Sequence, residues 1–113
     1  IGLVGRTLEY INANLTKDIS VQDIADAQNV SRSYLSHAFK KSTGYGLWNY
    51  VITKRLVYAQ KLLWGGSSVT EACYESGFRD YAHFIKSFTK TFGCSPKQCK
   101  KEDSDVYMMK LNL

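Results

Sequence analysis

A single proline in 113 residues leaves little to interrupt a helix, and 8 glycines are too few for a turn-rich β-sandwich. Cysteine is scarce too. Cys73, Cys94 and Cys99 form an odd set with no secretory signal before them, which argues against a disulfide framework and for a reducing, cytoplasmic setting. No apolar run approaches the ~18 residues that a membrane span requires, so no membrane partner is expected. Acidic residues are the minority charge: 10 Asp and Glu stand against 15 Lys and Arg, a formal net charge of +5. That balance suits a polyanion without identifying one. Hydrophobic residues make up 44% of the chain, enough for a folded core of one domain or two small subdomains without a metal staple.

What is present is helical periodicity with sharply marked starts. Val4, Leu8, Ile11 and Leu15 form an apolar stripe over a first helix from Val4 to Asn14. Ser20 and Asp23 have the spacing of a capping box, with Ile19 placed to staple on Ile24, and open a short second helix that ends near Gln28 and Asn29. Ser31 caps a third helix that turns Leu35, Ala38, Phe39 and Ser42 inward and ends at Gly44. A long amphipathic segment follows from Leu47 to Leu63, with Trp48, Val51, Ile52, Arg55, Leu56, Ala59, Leu62 and Leu63 at helical spacing. Ser68 and Glu71 then open a short fifth helix, Asp80 caps a sixth that carries Phe84, Ser87 and Phe88 inward, and Ser95-Pro96 opens a seventh. The fold class is therefore all-α. Its expected segments are 1–46 with the first three helices, 47–64 as a linker helix, 65–101 with the last three, and a tail, 102–113.

The second half repeats the first. Leu35 and Phe84, Phe39 and Phe88, Lys41 and Lys90, and Gly44 and Gly93 share one constant offset. Ser20 and Ser68, or Ala25 and Cys73, are one residue closer, so one residue has been added near the second turn. Each copy has the grammar of a helix-turn-helix: a small residue where the helices cross (Ala25, Cys73), Asn29 or Gly77 at the turn, then apolar Val30 or Phe78. One such pattern is a moderate signal. Two in tandem are a strong one.

In this motif the second helix enters the DNA major groove with its outward face. That face is predicted to carry Ser33, Ser36, His37 and Lys40 in the first copy, with Arg32 at the helix start. In the second it carries Ala82, Ile85 and Lys86, with Tyr81 beside them and Thr89 further along. Lys86 and His37 can donate to guanine O6 or N7, Arg32 to guanine or a phosphate, and Ala82 and Ile85 can pack on thymine methyls. Ser31, Lys41, Thr89 and Lys90 are assigned to phosphates, which set register. Any one of these cations, taken singly, is better explained by a solvated helix face; a stripe used twice reverses that. His83, on the boundary of the inward face, is open to a DNA contact or to a packed or capping role; Tyr34 is assigned to the core edge, and Trp48, Tyr50 and Tyr58 to packing between the halves.

The three cysteines with His37 and His83 invite zinc, but Cys94 and Cys99 lack the short paired spacing that zinc sites use. Free thiols, with no metal and no cofactor, are the expectation. No nucleophile–base set or phosphate loop points to an enzyme, and no aromatic-rich sheet pattern points to RNA. The rival reading is a protein-interaction module, which exposed Ile85 and Tyr81 would also suit.

The chain resembles the DNA-binding domain of the AraC/XylS family of bacterial transcription regulators. The resemblance runs from about Val4 to Lys101 and is densest at Arg55, Ala59, Leu62-Leu63, Val69, Glu71, Cys73, Gly77-Phe78, Phe84, Lys86, Phe88, Lys90, Phe92-Gly93 and Ser95-Pro96. It implies seven helices, two helix-turn-helix units bridged by the central helix, and recognition helices in successive major-groove segments of a double-stranded DNA operator. It places base reading at Ser33, Ser36 and His37, and at Tyr81, Ala82, Ile85 and Lys86. RNA polymerase is expected as a further partner. A chain opening at Ile1 rather than Met is expected to be preceded by other residues, a sensor or receiver domain among them. Departures from the family pattern at Cys99 and Lys100 concern packing of the last helix, and those at His37 and Ala82 mean that the operator cannot be borrowed from a relative.

Overall fold

The computed structural model describes residues 2–99, which form six α-helices and no strand: α1 Leu3–Asn14, α2 Val21–Ala27, α3 Arg32–Thr43, α4 Leu47–Trp64, α5 Val69–Glu75 and α6 Tyr81–Phe92. Side-chain caps mark four of the helix starts, those of α2, α3, α5 and α6. At α2 the Ser20 hydroxyl accepts from the Asp23 amide at 3.1 Å while the Ser20 amide donates to the Asp23 carboxylate at 2.8 Å. At α5 Ser68 and Glu71 repeat the exchange at 3.0 and 2.9 Å. Each box satisfies two amides that a helix start would otherwise leave open. The α3 and α6 starts rest on Ser31, which accepts from the Tyr34 amide, and Asp80, which accepts from the His83 amide, both at 3.1 Å. Both helices end on a glycine in the left-handed region, Gly44 at φ 81° and Gly93 at φ 80°.

The chain divides between Lys54 and Arg55 into two compact units. That point lies inside α4, so each helix triad takes part of the long helix that joins them. The first core gathers Ile11 from α1, Ile24 and Ala25 from α2, Leu35 and Phe39 from α3, and Leu47 and Val51 from α4. Ile19 packs against it, and so do Trp48 and Tyr50. Thr7 is fully buried beside Ile11, its hydroxyl donating to the Leu3 carbonyl at 2.8 Å so that no polar group is stranded.

The second unit is built on rings. Phe78, Phe84, Phe88 and Phe92 are buried, and consecutive rings stand 5.1, 5.8 and 4.6 Å apart between centroids. Leu56, Val57, Ala59, Ala72 and Cys73 are buried in this unit as well. Fully burying one such large apolar side chain stabilises by about 1.5–3 kcal/mol.

Four expectations are corrected. Ser42, placed inward from its spacing, is exposed, because it lies in the last turn of α3 beyond the reach of the core. Tyr34 is 61% exposed rather than at the core edge, and Tyr58 is exposed rather than packed. Cys94 and Cys99 are not free thiols but are joined as a disulfide, their Cα atoms 5.4 Å apart. The cause is chain reversal. Gly93 turns the backbone after α6, and a turn over 95–98, with the Gln98 and Cys99 amides both donating to the Ser95 carbonyl at 3.0 Å, brings Cys99 back beside Cys94. This turn stands where Ser95-Pro96 was predicted to open a seventh helix. The continuation of that helix and the tail at 102–113 lie outside the described residues. Among the described residues no helix is long and apolar enough to cross a membrane.

Candidate nucleic-acid interface

The turn between α2 and α3 needs one residue in the left-handed region, and Asn29 takes it at φ 58°. Its counterpart between α5 and α6 is Gly77 at φ 105°. In the first turn the Asn29 amide donates to the Asp26 carbonyl at 3.1 Å and the Val30 amide to Ala25 at 3.2 Å. In the second the Gly77 amide donates to Tyr74 at 3.1 Å and the Phe78 amide to Cys73 at 3.2 Å. The two turns are the same object. Arg79 is the added residue, lengthening the approach to the Asp80 cap. Ala25 and Cys73, at the helix crossing, are both fully buried.

With Leu35 and Phe39 facing the core, α3 presents Arg32, Ser33, His37 and Lys40 to solvent, while Ser36 is partly covered. With Phe84 and Phe88 facing the core, α6 presents Tyr81, Ala82 and Lys86, with Ile85 partly covered. Ser31, Lys41, Thr89 and Lys90 are exposed as well. Not all of these are equally at liberty. The Ser31 hydroxyl is used as a cap, and the Lys40 ammonium donates to the Gly44 carbonyl at 3.0 Å, closing the end of its own helix. Arg32 lines a shallow groove with Ile19, Ser20, Val21, Gln22 and Trp48. His83 is exposed, its ring edge against Phe78 at 5.7 Å.

Charge is sorted by helix. Arg32, Lys40 and Lys41 on α3, and Lys86 and Lys90 on α6, share their helices with no acid. Asp23 and Asp26 sit on the preceding α2 and Glu71 and Glu75 on α5, while Asp80 stands at the N-cap of α6. Asp23 and Glu71 are engaged in their capping boxes, and Asp26 accepts from the Gln22 amide group at 2.7 Å. Hydrogen bonds from the Ser68 backbone and side chain hold the Glu71 carboxyl below its ordinary range. Burial raises the Tyr50 phenol, and burial together with the Asp80 charge raises the Cys73 thiol.

Tyr34 belongs on the same surface, and sequence reasoning missed it. It stands three residues before His37 and seven before Lys41, the spacing that shares a helix face, and that periodicity would have found it.

Residues 24–102 match the family model described as a helix-turn-helix domain. An uncharacterized HTH-type transcriptional regulator in the cgkA 5′ region of Pseudoalteromonas carrageenovora is 37% identical over 99 residues, covering 88% of this chain. The chain spans 59% of the length of that curated relative. Among solved structures, the C-terminal domain of the two-component response regulator yesN from Fusobacterium nucleatum superposes with a TM-score of 0.79 at 28% identity, covering 83% of this chain and 93% of that one. A probable AraC family transcriptional regulator from Rhodopseudomonas palustris gives a TM-score of 0.74 at 29% identity, with 83% and 90% covered. Family and fold match transcription regulators, not enzymes. Among the described residues no group of three or more His, Cys, Asp or Glu is placed to hold a metal ion.

Proposed function

The chain belongs to the helix-turn-helix domain family, and on that premise we propose that it is the DNA-binding output domain of a bacterial transcription regulator of AraC/XylS type. It binds a specific double-stranded operator, with α3 and α6 entering successive major-groove segments. The observation that carries this reading is the repeated outward stripe. Two helices fixed by the same caps and turns each expose a short reading set and carry cations without an acid. The sequence pattern from Arg55 to Pro96 and the likeness to the Rhodopseudomonas protein support the AraC/XylS assignment.

Arg32, Ser33, Ser36 and His37 read bases in the first half-site, and Tyr81, Ala82, Ile85 and Lys86 in the second. Lys40 reaches DNA by releasing Gly44 and is the weakest member of the set. Lys41, Thr89 and Lys90, with Ser31 through its exposed edge, hold phosphates. Tyr34 joins the first face. RNA polymerase and a sensor or receiver domain N-terminal to this chain complete the proposed regulator, and the likeness to a response regulator's C-terminal domain supports a receiver. Its proposed setting is the cytoplasm.

Selection of bound duplexes from a random pool is expected to enrich one extended, asymmetric site. Against that site, Lys86→Ala or His37→Ala is expected to cost about 1–3 kcal/mol and relax preference at a single position. Lys90→Ala should weaken every sequence alike and lower the salt dependence. Equal affinity for selected and scrambled duplexes at matched salt would instead favour a protein-interaction module, the reading that exposed Tyr81 and half-exposed Ile85 also suit.

A further inference from the structure

We propose that Cys94 and Cys99 are a reversible thiol–disulfide pair, a redox-responsive clasp on the chain leaving α6. The two sulfurs are brought together by bonds that do not depend on the disulfide. Gly93, left-handed at φ 80°, reverses the chain and donates its amide to the Thr89 carbonyl at 2.8 Å. Both turn amides, from Gln98 and Cys99, rest on the Ser95 carbonyl. The Ser95 amide donates to the Gln98 side chain and the Gln98 amide to the Ser95 hydroxyl, each at 3.3 Å. Pro96 is buried at the centre of the turn. A backbone so held keeps the Cα atoms 5.4 Å apart, inside the range a disulfide needs, whether the sulfurs are joined or not.

Access separates this pair from the third cysteine. Cys94 and Cys99 are each partly exposed, whereas Cys73 is fully buried at the helix crossing, so a reagent in solution reaches two thiols of the three. The co-reactant is a low-molecular-weight disulfide such as oxidised glutathione. The thiolate of one cysteine attacks it, forming a mixed disulfide and releasing one glutathione thiolate. The second cysteine, as its thiolate, then attacks the protein sulfur of that mixed disulfide and expels the other. Two electrons pass to glutathione, the two protons lost by the cysteines end on the released thiols, and one protein disulfide forms. A reducing setting runs the exchange backwards, so the closed clasp marks a shift toward oxidation. Closing the ring restricts the unfolded chain and locks the turn over 95–98 that follows α6.

The test equilibrates the 113-residue chain with glutathione at a series of reduced-to-oxidised ratios, traps free thiols with a maleimide and counts labels by mass. Two labels are expected to disappear together as the ratio falls, while Cys73 is labelled only after denaturation. Cys94→Ser and Cys99→Ser should each abolish the intramolecular disulfide. The thermal midpoint of the wild type should fall by about 5 °C on reduction, and that of Cys94→Ser should not change. Persistence of both labels in pure oxidised glutathione, or a disulfide that survives in Cys94→Ser by recruiting Cys73, would overturn the proposal.

Discussion

The first unit and the second share a backbone plan but differ in most of their side chains. Capping boxes at Ser20 and Ser68, turns at Asn29 and Gly77, helix ends at Gly44 and Gly93, and helix lengths of 7 and 12 residues agree between them. Inside, however, an aliphatic set with one ring, Phe39, faces a column of four phenylalanines. Outside, Arg32, Ser33, Ser36 and His37 answer Tyr81, Ala82, Ile85 and Lys86. Scaffold, core and exposed face are thus three separable layers. The first is set by local hydrogen bonds, the second by volume, and the third by neither, which leaves it available for recognition.

The comparison breaks most visibly at the ring column. Phe84 touches Phe78 and Phe88, so Phe84→Ala is expected to cost about 3–5 kcal/mol in denaturant unfolding. A loss below ~1 kcal/mol would show that the column is not what holds the second unit together. The turns come next. Gly77 at φ 105° holds a backbone conformation that residues with a side chain rarely adopt, and Gly77→Ala should cost about 1–2 kcal/mol. Asn29 already tolerates the left-handed region, so Asn29→Gly should change stability by less than ~1 kcal/mol. Equal costs at the two positions would mean that the turns are less alike than their hydrogen bonds indicate.

The smallest effect concerns acid. Because the Ser68 hydrogen bonds depress the Glu71 carboxyl in the folded chain, its contribution is present above the ordinary carboxylate range. It is lost as pH falls through the folded value. Glu71→Gln keeps a side chain that can accept from the Ser68 amide but does not titrate. Unfolding midpoints followed from neutral to acidic pH should therefore fall less steeply in Glu71→Gln than in the wild type. Parallel curves would remove Glu71 from the account.

Much of this architecture was legible beforehand because its signals are local. A serine three residues before an acid, an asparagine or glycine after a short helix, and a glycine ending a helix each act within a turn or two. The exposed face of α3 was legible in part. Ser33 and His37 were placed on it by period, whereas Tyr34 was lost to the habit of assigning aromatics inward. Ser42 was misplaced because periodicity continues to the end of a helix while the core beneath it does not. Tyr58 shows the same limit on α4.

Left to itself, the order of residues determined where helices begin, where they end and which stripe of each is apolar, since those depend on hydrogen bonds and spacing inside a few residues. Tertiary structure alone decided which apolar or polar side chains lost their water. Burial depends on what lies opposite, so Ser42 and Tyr58 stay exposed on helices whose other faces are buried. The physical reason is range: capping and the short turn that brings Cys99 to Cys94 act within a few residues, whereas packing acts between segments whose meeting is a property of the folded chain.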